Sequence, residues 1–385
     1  MEKILNFCKI SGDSVKKYDG KRKYIATGDI SNNKIISFKE VYYDNKPSRA
    51  NQNVEIGDVI FAKMQNTKKV IIINEENVNN IYSTGFYVIK PKENVTSKFL
   101  FWLFNSKKFN NDKDKNCKGA TQKAINNEGL KKIEINTLPL LKEQLNIVNE
   151  LDMVQDIIDI RKKQIEKLDE LIKSQFIKMF GTIKNTKFNT KTLIEITKDE
   201  PNSIKRGPFG GSLKKDDFVE SGYLVYEQRH AIHNDFEYEK YYITEEKYND
   251  MIMFKVNPKD LLISCSGVTL GRIAEVPQNA KKGIINQALL KITLDSNVMN
   301  NVYFIHHFRS NEVQEKLFSF SRGSGIPNFP SMNEVKKIKF VCPPIELQNK
   351  FADFVKQIDK QKFEMQRSLE EAQKLQESLM NKYFG

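Results

Sequence analysis

Cysteine and histidine are scarce in this 385-residue sequence, and their spacing argues against the common metal sites. The four cysteines lie far apart and form no CxxC pair, so the sequence predicts neither a disulfide framework nor a zinc cluster. All four histidines fall in the second half; His230 and His233 have a metal-like spacing, but no cysteine lies near them. We therefore expect buried apolar cysteines, histidines in ordinary structural roles and no bound metal.

Long hydrophobic runs and the motifs of nucleotide-using enzymes are also missing. No apolar run approaches the roughly 18 residues of a membrane span, and the opening MEKILNFCKISG is too short and too polar for a signal peptide. There is no GxxxxGK[ST] phosphate loop, no GxGxxG and no Asn-Pro-Pro-aromatic motif of the kind that holds a flipped adenine. We expect a cytoplasmic protein with no membrane partner, no catalytic activity and no cofactor of its own.

Positive charge is in excess, and its location is informative. The segments 141–181 and 345–385 are nearly neutral, with seven basic and eight acidic residues in the first and seven of each in the second. Because the whole chain carries +13, the remainder carries +14 in two blocks. Basic blocks that also contain aromatic residues are typical of proteins that bind a polyanion such as nucleic acid.

The sequence repeats itself once, with an offset close to 204 residues. LPLLKEQLNIV matches CPPIELQNKFA, which aligns Pro139 with Pro343 and Gln144 with Gln348. Further upstream the offset falls to 202 and then to 188, where KILNFCKI resembles KTLIEITK. The matches occur in the same order in both halves, which predicts two equivalent structural units. The second unit is predicted to carry an early insertion, in the region that contains KRGPFGGSLKKDD.

Each half contains a mixed block followed by a segment of about 40 residues. Short β-like runs such as VIFAKM and LLISCS are bounded by turn residues, and helical stretches lie between them. This pattern predicts an α+β protein with a pseudo-twofold internal repeat. We place the mixed blocks at residues 1–140 and 187–344, and the long helices that follow them at 141–181 and 345–385.

The two 40-residue segments have apolar residues at a 3-4 spacing over more than four heptads. Such a seam predicts a coiled coil, and we favour pairing of the two helices with each other over an amphipathic helix that lies on a globular domain. The seam positions are Leu151, Val154, Ile158, Ile165, Leu168, Ile172 and Met179 in the first segment, and Phe351, Phe354, Ile358, Met365, Ala372, Leu375 and Leu379 in the second.

Both segments end in the same way, with SQFIKMFG before residue 182 and SLMNKYFG at the end of the chain. We expect Phe180 and Phe384 to pack the ends of two equivalent helices against the mixed blocks. Gly181 is expected to cap the first helix and to turn the chain into the second unit.

These motifs together resemble one protein family. GATQKAINNEGLKKIEINTLPLLKEQLNIVNELD, from Gly119 to Asp152, is similar to the region that closes a target-recognition domain in specificity subunits of type I restriction-modification systems. RGSGIPNFPSMNEVKKIKFVCPPIELQNKFADFVKQID repeats it, and GPFGGSLKKDDF from Gly207 resembles a loop near the start of such domains. The first copy departs from the family in two ways: it lacks that loop, and it reads LPLLKEQ where two adjacent prolines are usual.

The resemblance implies two target-recognition domains, each reading one half of a bipartite double-stranded DNA target. The two long antiparallel helices would set the spacer and dock two modification (methyltransferase) subunits. Those subunits would carry S-adenosylmethionine, and restriction (motor and nuclease) subunits would carry ATP and Mg²⁺. The chain itself would be a non-catalytic specificity subunit.

Two other functions stay open on the sequence alone. The chain could be a stand-alone nucleic-acid-binding or scaffold protein that uses the coiled coil as a stalk for a different partner. It could also be an enzyme that cleaves or methylates DNA by itself, although the missing motifs disfavour this.

Loops between the short strands supply candidate DNA contacts. Arg, Asn and Gln can read base edges, whereas Lys and Ser mostly contact phosphates. For each residue alone, a solvated side chain or a turn former explains the position equally well. The candidates of the first domain are Lys63, Gln65, Asn66, Lys68, Lys69, Lys118, Thr121, Gln122 and Lys123, and those of the second are Lys205, Arg206, Ser212, Lys214, Lys215, Gln228, Arg229, His230, Thr269, Arg272, Arg322, Ser324 and Asn328.

Overall fold

A computed structural model describes residues 1–182, 185–267, 269–319 and 329–385. Its backbone contacts divide the chain into two compact units, one formed by residues 1–164 with 365–385 and the other by residues 165–364. Each unit therefore combines one mixed block with segments of both long helices. Within the described ranges no helix is both long and apolar enough to cross a membrane.

The first unit is built from short strands that form two four-stranded sheets and several two-stranded ribbons. Its strands are β1 (Glu2–Lys3), β2 (Cys8–Ser11), β3 (Arg22–Ile25), β4 (Ile30–Ser31), β5 (Lys34–Ile35), β6 (Lys39–Val41), β7 (Ala50–Gln52), β8 (Val59–Ala62), β9 (Val70–Ile72), β10 (Ile81–Ser83), β11 (Phe86–Pro91), β12 (Cys117–Lys118), β13 (Ala124–Ile125) and β14 (Glu134–Ile135). Its short helices are α1 (Ser97–Asn105), α2 (Lys107–Lys115) and α3 (Asn127–Leu130), and the long helix α4 (Leu141–Phe180) begins here.

The second unit has the same kinds of element. Its strands are β15 (Thr190–Thr192), β16 (Ile204–Arg206), β17 (Tyr223–Tyr226), β18 (Tyr242–Ile243), β19 (Lys255–Val256), β20 (Leu261–Ser264), β21 (Ile273–Glu275), β22 (Gly283–Ile285), β23 (Leu289–Ile292) and β24 (Lys339–Val341). Its helices are α5 (Leu193–Ile196), α6 (Gln228–His233), α7 (Glu245–Asp250), α8 (Asn301–Phe308), α9 (Asn311–Ser319), α10 (Met332–Val335) and the start of the long helix α11 (Ile345–Phe384).

The strand order confirms the internal repeat. The antiparallel sheet is β2-β11-β8-β9 in the first unit and β16-β23-β20-β21 in the second. The mixed sheet is β6-β3-β10-β7 in the first unit and β18-β17-β22-β19 in the second, and its two central strands are parallel in both. The fold is therefore α+β with a pseudo-twofold repeat, as predicted.

The insertion in the second unit is divided between two places. Ser11 pairs with Val88 in the first unit, and Arg206 pairs with Leu290 in the second, so the offset at this strand is already about 195. Part of the insertion therefore precedes β16, and the rest lies in the glycine-rich connection from β16 to β17. The sequence comparison placed it only in the region of that connection.

The two long helices run antiparallel where they meet in each unit. In the first unit the Tyr383 hydroxyl donates to Glu150 at 2.7 Å, and the Gln376 amide donates to Gln155 at 2.9 Å. In the second unit the Lys362 ammonium contacts Asp169 at 2.6 Å. Both helices have forty residues, in agreement with the heptad pattern.

The apolar seam is confirmed along α4 but takes a different path near the end of α11. All the predicted positions on α4 are buried or half-buried. On α11, Leu375 is 50% exposed, whereas Leu369 is buried and Gln376 faces α4. From Met365 onward, a spacing of three then four residues and a spacing of four then three both fit a heptad pattern. Packing against α4 selects the second, so the seam passes through positions 365, 369, 372 and 376.

The two helix ends pack as predicted. The ring centroid of Phe384 lies 5.3 Å from that of Phe99 in the core of the first unit. The ring centroid of Phe180 lies 4.7 Å from that of Tyr303 in the core of the second unit. Gly181 has φ of +73° and donates its N–H to the Ile177 carbonyl at 2.8 Å, which is the geometry of a glycine helix cap.

Candidate nucleic-acid interface

The two candidate loops of the first domain lie side by side. One connects β8 to β9 (residues 63–69), and the other (residues 118–123) consists of the last residue of β12 and the turn that leads to β13. The Gln65 N–H donates to the Lys123 carbonyl at 2.9 Å, and the Ile125 N–H donates to the Lys63 carbonyl at 2.9 Å. Backbone hydrogen bonds thus join the loops into one surface, which we call the first loop surface.

The predicted residues of the first loop surface fall into two groups. Lys63 donates to the Thr84 carbonyl, Lys69 to the Thr27 carbonyl and Gln65 to the Asp114 carbonyl. These three side chains support the loop by hydrogen bonds to backbone carbonyls elsewhere in the domain. The other candidates are exposed at the surface: Asn66, Lys68, Lys118, Thr121, Gln122 and Lys123.

The turn in this surface needs a glycine. Gly119 has φ of +133°, and a Cβ atom there would lie 2.6 Å from the Gln122 carbonyl oxygen. Only glycine combines this backbone conformation with so close an approach. The tight turn places Gln122 and Lys123 at its exposed end.

The first domain has a basic loop that the sequence reasoning missed. The connection from β2 to β3 occupies the topological position of the glycine-rich connection from β16 to β17 in the second domain. Buried Val15 anchors it, Lys16 and Lys17 are exposed, and the Arg22 guanidinium lies 4.6 Å from the Tyr18 ring centroid. The sequence signal for this loop was the run KKYDGKRK, which lacks the glycine-rich pattern of the connection from β16 to β17.

In the second domain the glycine-rich loop is closed against the strand β23. The Gly207 N–H donates to the Leu289 carbonyl at 2.9 Å, and a Cβ atom on Gly207 would lie 1.8 Å from the Asn286 carbonyl oxygen. The Arg206 guanidinium lies 5.3 Å from the ring centroid of Phe209, whose side chain is 66% exposed. The loop therefore presents an aromatic ring and a cation together.

The side chains that follow this loop line a groove. The exposed lysines Lys214 and Lys215 line it together with Glu227, Asn286 and Gln287. Two lysines, two amides and one carboxylate thus share one open groove, which we call the second-domain groove. Outside this lining, the Gln228 amide joins the start of α6 to the next loop by donating to the Ser266 hydroxyl at 2.5 Å.

The remaining candidates of the second domain have different positions. Arg229 is exposed and its guanidinium lies 4.3 Å from the Tyr238 ring centroid, while Arg272 is exposed on the β20–β21 connection. Lys205 lies 4.9 Å from the Phe254 ring centroid, the Ser212 hydroxyl donates to the Phe209 carbonyl, and Thr269 is half-buried. Arg322, Ser324 and Asn328 lie outside the described residues.

His230 requires a correction, because it is completely buried. Its Nδ1 accepts the Glu227 N–H at 2.9 Å, and its Nε2 lies 2.9 Å from the Tyr238 carbonyl, to which it donates in this tautomer. Both ring nitrogens are used inside the domain. His230 therefore supports the segment that follows α6 and offers no surface to DNA.

The cysteines are structural. Burial raises the pKa of both Cys8 and Cys265 to about 12, which keeps these thiols protonated. Cys117 and Cys342 are half-buried, and burial raises the pKa of each. Across the described ranges, no three His, Cys, Asp or Glu side chains lie close enough together to hold a metal ion.

Two equivalent α+β domains, each with exposed basic and amide side chains on its loops, together with two long helices define a duplicated protein. The family model described as the type I restriction modification DNA specificity domain matches residues 4–170 and 208–374. The two matches correspond to the two structural repeats. The chain belongs to this family, and it is a specificity component rather than a catalytic one.

Relatives in Methanocaldococcus jannaschii match most of the chain. The type I restriction enzyme MjaIX specificity subunit is 25% identical over 315 residues, which cover 77% of this chain and 70% of the relative. The putative type I restriction enzyme MjaX specificity subunit is 23% identical over 367 residues, which cover 91% of this chain and 84% of the relative.

Solved structures share the fold over the whole length. The S subunit of a type I restriction-modification system from M. genitalium superposes with a TM-score of 0.59 at 16% identity, covering 100% of this chain and 95% of that one. A chain from a structure of complex assembly and conformational transition in the type I R-M system gives a TM-score of 0.61 at 18% identity, covering 98% and 97%. This likeness concerns the fold.

Proposed function

We propose that this chain reads a bipartite double-stranded DNA target as the specificity subunit of a type I restriction-modification complex, with one domain on each half-site. The observation that carries the proposal is the repeated topology: both domains have the same two sheets in the same strand order. The basic connection from β2 to β3 in the first domain corresponds to the connection from β16 to β17, with Lys214 and Lys215, in the second. A protein with two equivalent readers suits a target with two halves.

The two domains would read different sequences because their loops differ. Asn66 and Gln122 in the first domain, and Gln287 in the second, have amide side chains that can bond adenine in the major groove. Lys68, Lys123 and the pair Lys214 and Lys215 would bind phosphates and set the orientation, in line with the net charge of the two blocks. In the first domain, the basic loop with Lys16 and Lys17 would contact phosphates, as the glycine-rich connection with its two lysines would in the second.

The long helices would set the spacer between the half-sites and dock two modification subunits. Within the first unit, Met153, Ile157 and Ile160 form an exposed apolar row on α4, and Met153 is 67% exposed. Such a row on a charged helix favours a protein partner. S-adenosylmethionine would be bound by those modification subunits, and ATP with Mg²⁺ by restriction subunits.

We further propose that recognition follows the boundaries 1–140 and 187–344, with the helices 141–181 and 345–385 as spacers, and that the complex acts in the cytoplasm. The regular helices α4 and α11 support these boundaries.

Mapping methylated adenines in the source genome tests this function. We expect a two-part motif with a fixed non-specific spacer, and its loss when the gene for this chain is deleted. A methylation pattern that is unaffected by the deletion would instead favour a nucleic-acid-binding scaffold with another partner. Methylation of DNA by the purified chain alone, with S-adenosylmethionine and no other subunit, would show that the chain is an enzyme.

A further inference from the structure

A buried ammonium group holds the main candidate loop of the first domain. The Lys113 side chain, on α2, is 1% exposed. Its Nζ donates to the Thr67 carbonyl at 2.6 Å and to the Met64 carbonyl at 3.3 Å. Burial lowers the pKa of this amine, while Asp114 at 3.6 Å favours its charged form. A buried cation is costly unless it is hydrogen-bonded, and here its partners belong to the loop.

Asp114, the residue that follows Lys113, holds the two loop residues between Met64 and Thr67. Asp114 Oδ1 accepts the Asn66 N–H at 3.1 Å, and the Asp114 carbonyl accepts the Gln65 amide at 3.1 Å. Asn66 has φ of +57°, a left-handed conformation that is uncommon outside glycine and that asparagine tolerates best. Two consecutive residues of α2 therefore bind four consecutive residues of the loop, 64–67.

Among the residues that the structure describes in the second domain, the equivalent positions make different contacts. The structural repeat places Leu317 at the position of Lys113, and Leu317 lies in the apolar core of the second unit. The equivalent loop there is closed by Ser264, whose hydroxyl accepts the Arg272 N–H at 2.9 Å and donates to the Thr269 carbonyl. A core function common to both domains would not need a lysine, so the cation is linked to the loop that it binds.

We propose that Lys113 and Asp114 are positioning residues for specificity, which hold residues 64–67, and with them the exposed side chain of Asn66, in the orientation in which the first domain reads its half-site. The inference rests on the proposed function, because it assumes that this loop faces the bases. A loop held before binding loses less conformational entropy on DNA, and a group misplaced by about 1 Å loses its directional hydrogen bonds. The two residues would thus act on sequence discrimination without touching DNA.

The test compares base preference at the two half-sites. The native complex, purified from the source organism through an affinity tag on this chain, selects binders from a pool of randomised duplex DNA, which is then sequenced. Lys113→Met keeps an unbranched apolar chain but removes the ammonium. We expect it to lose about tenfold in discrimination between bases at one half-site only, with the other half-site and the spacer unchanged. If Lys113 had only a structural role, Lys113→Met would lower Tm and would leave the relative base preferences at both half-sites as they are in the wild type.

The matched control is Lys115→Met, on the same helix, where the side chain is 78% exposed; it should keep both half-sites. Asp114→Ala removes the acceptor of the Asn66 N–H at a partly exposed position and should relax the same half-site, which decides the question if Lys113→Met does not fold. Equal loss at both half-sites, or none at either, overturns the positioning role. Wild-type complex that enriches no two-part sequence overturns the proposed function itself.

Discussion

Gln144 and Gln348 make the same three hydrogen bonds in the two halves of the chain. Each amide lies at the start of a long helix, is fully buried, accepts the backbone N–H of a helix N-cap residue and donates to two carbonyls. Gln144 accepts the Thr96 N–H at 3.1 Å and donates to the Asn94 and Pro139 carbonyls, both at 2.9 Å. Gln348 accepts the Asn300 N–H at 2.8 Å and donates to the Val298 carbonyl at 3.0 Å and the Pro343 carbonyl at 2.8 Å. The glutamines tie each long helix to the equivalent short helix of its own repeat, α1 in the first and α8 in the second.

Replacing one of these amides should destabilise its unit. Gln348→Leu has a similar size but leaves a buried N–H and two carbonyls without this partner, so we expect a loss of about 3 kcal/mol. For a unit of this size that corresponds to a fall in Tm of about 6–12 °C, measured by thermal unfolding. Gln357→Leu on the exposed side of α11 is the control and should leave Tm unchanged. A Tm equal to the wild type in both variants would show that the amide contributes nothing.

Exchanging the second domain should change one half-site only. A chimera that takes residues 187–342 from a relative retains the first domain and the whole of both long helices. Because each domain has its own loops, the methylation motif of the chimera should keep one half and acquire a new second half. Genome methylation mapping measures this, and the reciprocal exchange of residues 1–140 is the control. A motif altered in both halves would contradict the assignment of one domain to one half-site.

Shortening both helices in register should shorten the spacer. Removing residues 161–167 from α4 and 364–370 from α11 takes one heptad from each, which is about 10 Å at 1.5 Å per residue and about three base pairs of B-DNA. The half-sites should stay the same while the non-specific spacer loses about that number of base pairs, as read from methylated sites or selected duplexes. Removing the heptad from α4 alone breaks the antiparallel register and should lower Tm. An unchanged spacer in the double deletion would disprove the spacer role of the helices.

The basic loop of the first domain should supply phosphate contacts. Lys16→Ala with Lys17→Ala should weaken binding to all duplexes alike and should reduce the slope of log K against log salt by about 2, because two counterion-releasing contacts are lost. Binding titrations at several salt concentrations measure the slope. The pair Lys173→Ala with Lys178→Ala changes the net charge equally on α4, where both lysines are exposed, and should leave the slope nearly unchanged. Equal slopes in the wild type and the loop variant would exclude the contact.

Much of the architecture could be predicted because its signals are local or repeated. The seam from Leu151 to Met179 is a periodic pattern, so a forty-residue helix followed from the sequence alone. The match of Gln144 with Gln348 indicated two equivalent units, and the closing phenylalanines indicated where the helices pack. Polar residues next to strands indicated the candidate loops 63–69 and 118–123, and backbone hydrogen bonds bring these two loops together.

Tertiary contacts alone decided the rest. The sequence indicates His230 as a candidate DNA contact, but the fold buries its side chain, and its ring nitrogens bond the Glu227 N–H and the Tyr238 carbonyl. Packing against α4 selects Gln376 over Leu375, although both fit a 3-4 pattern. Lys113 is one of several lysines in KKFNNDKDK, and only the fold puts the Thr67 carbonyl within reach of its amine. The sequence by itself determined the long helices, because a helix face depends on residues three or four apart, and its repeated motifs determined the duplication. Which polar side chain supports a loop and which one faces a ligand depends on contacts that only the fold creates, such as the one between Lys113 and Thr67, 46 positions apart.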